Sequence, residues 1–401
     1  MKLGILKETK IPLDRRVPFT PGQVKELISR FSELDVLIQP SDIRCFKDEE
    51  YSKEGLQLDN DLSNAEVLMG VKEVEIESLI AGKTYLFFSH TAKKQPYNRK
   101  LLQEIVKKEI TLIDYEYLTD KNNLRIVAFG RWAGIVGAYN GLRAYGERYR
   151  GYLLKPAHQC YDFAEMKLEM KEVSLTPVKI LVTGGGRVAM GAMEILAPLN
   201  LKEVSPADFL SRDYNEPVVC RIDPWDYVQR KDGSDFDLQH FFDHPDMYES
   251  TFKRYTYATD ILIACHYWDP RSPHFMTLSD MREPEFKIRV IADVSCDING
   301  PIPSTIRAST IDEPFYGYYP LREVETPPFE LRSITVMAVD NLPGELPRDA
   351  SEDFGNQLLE RVIPTLITGD EEGIIERATI VKNGKLTEKF EYLQGYLDGK
   401  E

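Results

Sequence analysis

Three short apolar runs in the first third of the chain each end in ionisable residues. Val67-Leu68-Met69-Gly70-Val71 leads into Lys72-Glu73. Tyr85-Leu86-Phe87-Phe88 leads into Ser89-His90-Thr91, with Lys93 and Lys94 close behind. Thr111-Leu112-Ile113 leads into Asp114-Tyr115-Glu116. Apolar runs of this length, alternating with helical stretches, read as buried strands of a parallel sheet. Open α/β sheets bind ligands at the carboxyl ends of their strands. A lysine, a histidine and two glutamates are therefore expected to converge in one cleft, a set suited to acid–base chemistry. One such strand end is ordinarily a solvated charge cluster; three in succession favour a site.

A second constellation stands in the middle of the chain. The apolar strand Val178–Thr183 runs into Gly184-Gly185-Gly186-Arg187-Val188-Ala189-Met190-Gly191 and then an apolar helix to about Leu199. Gly184 permits a tight turn, Gly186 lets backbone approach a pyrophosphate, and the helix N-terminus supplies donors. Ala189 holds the third position of the G-x-G-x-x-G pattern, which tolerates it. The strand–loop–helix context makes dinucleotide binding the expectation. Cofactor choice depends on the end of the following strand, roughly 20 residues on, where the sequence reads Leu201-Lys202-Glu203-Val204-Ser205-Pro206. With Ser205 at the tip the ribose-binding acid is missing and Arg187 faces a 2′-phosphate, a slight lean to NADP over NAD. A register with Glu203 there reverses it.

Other candidates carry less. Lys7-Glu8-Thr9-Lys10 and Arg15-Arg16-Val17-Pro18 follow a strand and precede a helix; arginine suits bidentate carboxylate binding, and a solvated basic loop is an equal reading. His240 and His244, beside Asp243 and Asp246, lack a third convincing metal ligand and read as an acidic surface loop. His266, with Tyr267 and Trp268, follows the strand Ile261–Cys265 near the expected cofactor position, as a packing or rim residue. Asp293 and Asp297 read as caps of a strand end. No G-x-S-x-G motif supports hydrolysis.

Stepping from these residues to what positions them, residues 1–129 alternate strands (Leu3–Leu6, Asp35–Gln39, Val67–Val71, Lys83–Phe88, Ile110–Asp114) and helices (Pro21–Phe31, Asn98–Lys108), with a short strand at Arg125–Gly130. Ala133–Tyr149, rich in small residues, suits a tightly packed connecting helix, and Pro156–Thr176 is helix-prone. The acidic, aromatic-rich stretch Ser211–Arg254 reads as an excursion rather than sheet. Val290–Val294 and Val336–Asp340 read as further strands. The fold class is α/β: two Rossmann-like domains with parallel sheets. The expected substrate domain is 1–130 plus 345–401, and the expected dinucleotide-binding domain is 131–344.

The 401 residues carry a formal net charge of −15, which disfavours a nucleic-acid partner. No segment is long and apolar enough to span a bilayer. The five cysteines are scattered, without a C-x-x-C pair. The start reads as strand rather than signal peptide. Together these lead to the expectation of a soluble cytoplasmic protein, monomeric or a small homo-oligomer, acting on small molecules.

Taken jointly, Lys7-Glu8-Thr9-Lys10, Arg16-Val17-Pro18-Phe19-Thr20-Pro21, Lys72-Glu73, Phe88-Ser89-His90-Thr91, Asp114-Tyr115-Glu116, Val127-Ala128-Phe129-Gly130 and Val339-Asp340-Asn341-Leu342-Pro343 resemble, in order, the lysine-forming saccharopine dehydrogenases. The resemblance extends to the lysine–2-oxoglutarate reductase domain of the bifunctional animal and plant enzyme, and that enzyme's second dehydrogenase domain is not expected here. Alanine dehydrogenase and the soluble part of transhydrogenase are broader kin. The resemblance implies two Rossmann-like domains, the first closed by the C-terminal segment. It implies an NAD(P)-dependent oxidoreductase interconverting saccharopine with L-lysine and 2-oxoglutarate. Lys72 and His90 would be the acid–base pair, and Arg16 would hold a substrate carboxylate. Gln95 and Phe129 would line the pocket, with Glu73 and Glu116 tuning charge and Lys93 a further cation for the dicarboxylate. Gly184, Gly186, Arg187, Val188, Ser205, Tyr267, Val339, Asp340, Asn341 and Leu342 are the cofactor-binding candidates; no metal is expected. The rival readings are a relative acting on another amine and 2-oxo acid, and a non-catalytic dinucleotide-binding sensor.

Overall fold

Strand formation in the first third follows the apolar runs. In the computed structural model, which describes residues 1–400, six strands pair in parallel: β1 (Lys2–Ile5), β2 (Asp35–Ile38), β3 (Gln57–Leu58), β4 (Val67–Met69), β5 (Thr84–Phe87) and β6 (Thr111–Asp114). Their order across the sheet is β3-β2-β1-β4-β5-β6. The chain steps outward from β1 to β3 and then returns beside β1 as β4. The switch point of this sheet therefore lies between β1 and β4. Side chains alternate between faces. The register row Ile38, Ile5, Met69, Leu86 and Ile113 enters one core, and the next row, Leu37, Leu68, Tyr85 and Leu112, enters another on the opposite face. Burial on both faces explains why these strands read as continuous apolar runs. The helix Pro21–Arg30 starts where the Thr20-Pro21 signal puts it. Gln23 N–H donates to the Thr20 hydroxyl and Thr20 N–H to Gln23 Oε1, a reciprocal cap.

The second unit opens with a helix at Gly130–Tyr149. Its strands are β7 (Lys179–Thr183), β8 (Lys202–Glu203), β9 (Val218–Ile222), β10 (Val228–Arg230), β11 (Tyr248–Ser250), β12 (Ile261–Ala264), β13 (Val290–Asp293), β14 (Phe315–Tyr319), β15 (Val324–Thr326) and β16 (Ile334–Met337). The sheet order is β15-β14-β16-β13-β12-β7-β9-β8, parallel from β16 to β8, with β14 and β15 antiparallel; β10 and β11 form a separate hairpin. The glycines of the opening helix allow near-contact of backbones. A Cβ on Gly134 would stand 1.8 Å from Val188 O, and one on Gly191 2.0 Å from Arg131 O. The chain then returns through the helix Pro347–Gln357 to β17 (Thr379–Lys382), antiparallel to β6, and β18 (Lys385–Leu386), antiparallel to β17, which extend the first sheet.

Two compact units result: Met1–Phe129 with the segment from Pro347 onward, and Gly130–Leu346. Three local expectations are corrected. Arg125–Gly130 is not a strand; Arg125 makes one isolated bridge to Thr119 and the helix begins at Gly130. The stretch 211–254 is more than an excursion. It contributes the hairpin and, as β9, an interior strand of the second sheet; Val218-Val219-Cys220-Arg221-Ile222 is a brief apolar run masked by polar and aromatic neighbours. The strand expected at Val336–Asp340 is Ile334–Met337, and Ala338–Leu342 leaves its carboxyl end.

Candidate active site

The three ionisable strand ends do meet at one edge of the first sheet, since β4, β5 and β6 are neighbours in register and parallel. Lys72 and Glu73 follow β4, His90 follows β5, and Glu116 follows β6. A fourth end joins them: beyond β1 the chain carries Glu8, Lys10, Asp14 and Arg16. Glu73 is the hub. Its Oε1 lies 2.7 Å from His90 Nδ1 and its Oε2 accepts from Lys10 Nζ at 2.7 Å. His90 holds a left-handed backbone (φ 52) and stacks on Phe88 with ring planes 19° apart. A histidine in that region is uncommon, and such strain gathers at functional positions. Buried Asp114 braces the turn, accepting from Ser89 N–H at 3.0 Å, Ser89 Oγ at 2.6 Å and Glu116 N–H at 2.8 Å.

The electrostatics follow from burial and from these partners. Burial pushes the Lys72 amine down, Arg16 and Lys10 push the same way, and Asp14 and Glu73 resist; the result is about 8. Lys72 Nζ makes no hydrogen bond or ion pair among the described residues, so its proton is held by field rather than by contact. Burial raises the Glu73 carboxyl, but the hydrogen bonds from His90 and Lys10 outweigh it and hold the group at about 2. Asp14 stays well below the usual carboxylate range because Arg16 outweighs its burial. Arg16 donates to Asp14 through Nε at 2.9 Å and Nη2 at 2.5 Å, and its guanidinium carbon lies 4.2 Å from the Phe129 ring centroid. The fork expected to take a substrate carboxylate is thus turned to Asp14.

The remaining first-unit candidates sit further out. Lys93 pairs with Glu116 at 3.2 Å, and Arg125 pairs with the same oxygen at 3.1 Å. Glu116 is therefore neutralised by these two cations rather than facing Lys72. Lys10, not Lys93, is the lysine that crowds the site. Gln95 is engaged elsewhere: Tyr97 Oη donates to its side chain and Tyr396 Oη to its carbonyl, each at 2.5 Å. Sequence reasoning missed Asp14 as the Arg16 partner and Glu8 as a buried carboxylate; an acid two residues before the arginine was the available signal for the first.

In the second unit the glycine loop leaves the carboxyl end of β7 and opens the helix Arg187–Leu196. Gly184 has φ +95, and a Cβ there would press on Cys265 O at 2.9 Å, so only glycine fits. Gly186 is the helix N-cap with open space where its Cβ would lie, which leaves Arg187 and Val188 N–H groups of the first turn at an accessible N-terminus. These residues fit a pyrophosphate. The ribose position is corrected. Ser205 lies beyond the edge strand β8 and caps a short helix, accepting from Asp208 N–H at 3.2 Å. The strand beside β7 is β9, and the acid after its tip is Asp223. Asp223 is buried; a Cβ on Gly185 would meet its Oδ1 at 2.3 Å. Arg221 Nη1 reaches Asp223 Oδ2 at 2.7 Å and Gly184 O at 3.1 Å. The lean to NADP loses the position it rested on.

Tyr267 follows β12 and is 85 % exposed at the same sheet edge. His266 beside it is buried, bonded to Thr183 Oγ1 at 3.0 Å and set against Phe275, the packing role expected of it. Asp293 accepts from Ser295, Cys296 and Thr305 and so caps its strand end. After β16, Asp340 is exposed and Asn341 half-buried, whereas the side chains of Val339 and Leu342 are buried, so those two present backbone only.

Comparisons with known proteins bear on the fold and on the relatives of the chain. Residues 4–136 match the family model for the alanine dehydrogenase/PNT N-terminal domain. An L-alanine dehydrogenase structure superposes over all of both chains with a TM-score of 0.65 at 17% identity, and a transhydrogenase from Sinorhizobium meliloti with 0.58 at 16%. The fold is that of the alanine dehydrogenase class of two-unit α/β proteins. Among curated sequences, the mitochondrial alpha-aminoadipic semialdehyde synthase of Mus musculus is 32% identical across 100% of this chain and 48% of its own length. The chain thus spans about half of that relative. The NAD(+), L-lysine-forming saccharopine dehydrogenase of Neurospora crassa is 27% identical over 91% of this chain and 90% of its own. The chain is thus similar over most of its length to the lysine-forming saccharopine dehydrogenases, at about 27–32% identity.

Proposed function

We propose that this protein interconverts saccharopine with L-lysine and 2-oxoglutarate, with Lys72 and His90 as its acid–base pair. The observation that carries the proposal is the Glu73 carboxylate clamped between His90 Nδ1 and Lys10 Nζ, beside a Lys72 amine brought to about 8. Joining an amine to a 2-oxo acid passes through a carbinolamine and an imine, and each step before reduction moves a proton. Two groups of different character serve such steps. Lys72, lowered to about 8, keeps a usable fraction of free amine beside the ammonium near physiological pH and can both take and give a proton. His90 is oriented by Glu73 through Nδ1, which leaves Nε2 for substrate. Arg16, bound to Asp14, acts on Lys72 through its charge. Lys10, Lys93 and Arg125, paired here with Glu73 and Glu116, are the cations at these strand ends that a dicarboxylate would have to draw from those partners.

The Gly184–Val188 turn and Asp223 fit a nicotinamide dinucleotide, which when bound supplies or accepts the hydride. Asp223 at the β9 tip suits the ribose 2′-hydroxyl, and we propose NAD as the preferred form; the relatives whose names state a cofactor name NAD. Incubation with L-lysine, 2-oxoglutarate and NADH is expected to yield a product of the mass of saccharopine. Product only with another amine or oxo acid assigns a different substrate pair, and no product with a broad panel overturns the enzymatic reading.

A further inference from the structure

At the crevice between β1 and β4 a side chain stands in for a strand. The two strands bond backbone to backbone as far as Leu6, whose N–H donates to Met69 O at 2.9 Å. There the ladder stops. Past the β4 end, Gly70 N–H turns to Leu86 O on the β5 side at 3.0 Å, and the following N–H groups, of Val71 and Lys72, go to Glu8 Oε1 at 2.7 Å and Glu8 Oε2 at 2.8 Å. Gly70 leaves room for this approach, since a Cβ there would stand 3.3 Å from Glu8 Oε1. On its other side Val71 O accepts from Phe88 N–H at 3.0 Å. The residue that carries the Lys72 side chain is therefore anchored on the β5 side through its neighbour and on the β1 side through Glu8.

We infer that Glu8 is a positioning residue of this site: its carboxylate replaces the missing strand partner, fixes the Val71-Lys72 backbone, and so sets where the Lys72 amine is presented. The inference rests on the acid–base role proposed for Lys72. Glu8 is buried, and the ionisable groups that act on it are Asp14 and Arg16 from the loop after β1, with Tyr115 facing it from the β6 end. Burial and Asp14 raise its carboxyl, and the two N–H bonds and Arg16 oppose this, leaving it at about 8.

The test is Glu8→Gln, which keeps the shape but turns an amide donor toward one of the two N–H groups. Glu8→Asp and Lys72→Met are measured beside it, with NADH binding followed as a check on the fold. Leaving a buried N–H without its acceptor corresponds to about five- to a hundredfold in turnover. Expected for Glu8→Gln is such a fall in kcat with NADH binding kept, and a partial rescue in Glu8→Asp, which restores two acceptor oxygens. Wild-type kcat in Glu8→Gln, with Lys72→Met inactive, overturns the role of Glu8 and leaves that of Lys72. An active Lys72→Met overturns both. Equal damage in both Glu8 variants also overturns the inference and makes Glu8 a fold clamp only.

Discussion

The carboxyl edges of the two parallel sheets are built on opposite plans. At the edge of the first, nearly every residue that matters acts through its side chain: Glu8, Lys10, Asp14, Arg16, Lys72, Glu73 and His90 form a charge cluster in which burial lowers the Lys72 amine and hydrogen bonds from His90 and Lys10 lower the Glu73 carboxyl. At the edge of the second, the decisive groups are backbone: a turn that only glycine can make at Gly184, an open helix start at Gly186, and one acid, Asp223, packed against the loop. Proton transfer needs groups that change charge, and burial tunes them. Holding a pyrophosphate needs fixed dipoles and an absence of side-chain bulk.

This contrast orders the expected effects of substitution. Lys72→Met and His90→Gln are expected to lower turnover by about 10² to 10⁴-fold, the usual span for a lost general acid or base, with NADH affinity retained in titrations. A loss of NADH affinity instead would break the separation of roles. Gly185→Val has the converse expectation: its side chain collides with Asp223, so NADH binding weakens while Lys72 titration, read by chemical modification against pH, is unchanged. Asp223→Ser is expected to shift the NADH to NADPH ratio of kcat/KM about tenfold or more toward NADPH, the scale of one hydrogen bond to a charged acceptor.

Acid stability sharpens the first edge. The folded Glu73 carboxyl sits at about 2, below its ordinary 4.5. A depressed carboxyl contributes stability that is whole above the unfolded value and is lost as pH falls through the folded one. Chemical denaturation between about pH 5 and 2 is therefore expected to show a steeper loss for the native protein than for Glu73→Gln. The smallest effect is expected for Ser205→Ala: about 1 kcal/mol of stability from the lost N-cap and no change in cofactor preference.

Much of the first edge was legible in the sequence, because parallel strands buried on both faces write themselves as apolar runs and the ionisable residues stand directly after them. The fourth strand end was harder. Glu8, Lys10, Asp14 and Arg16 lie in a loop whose path the pattern does not encode, so the pairing of Arg16 with Asp14 and the hub role of Glu73 needed coordinates. The sign of the Lys72 shift was likewise hidden, since burial decides it and the opposing charges come from separate strand ends. In the second unit the glycine loop was plain. The ribose acid was not, because β9 inserts between β7 and β8 and carries the relevant tip to Asp223, far from where chain order placed it.

The most direct test of the account is NADH oxidation by the native protein with L-lysine and 2-oxoglutarate together and with each omitted, run beside Lys72→Met. Oxidation that requires both substrates and falls at least a hundredfold in Lys72→Met is the predicted result. Oxidation with both substrates that Lys72→Met sustains at the native rate would contradict the account, as would none in the native protein once NADH binding is shown.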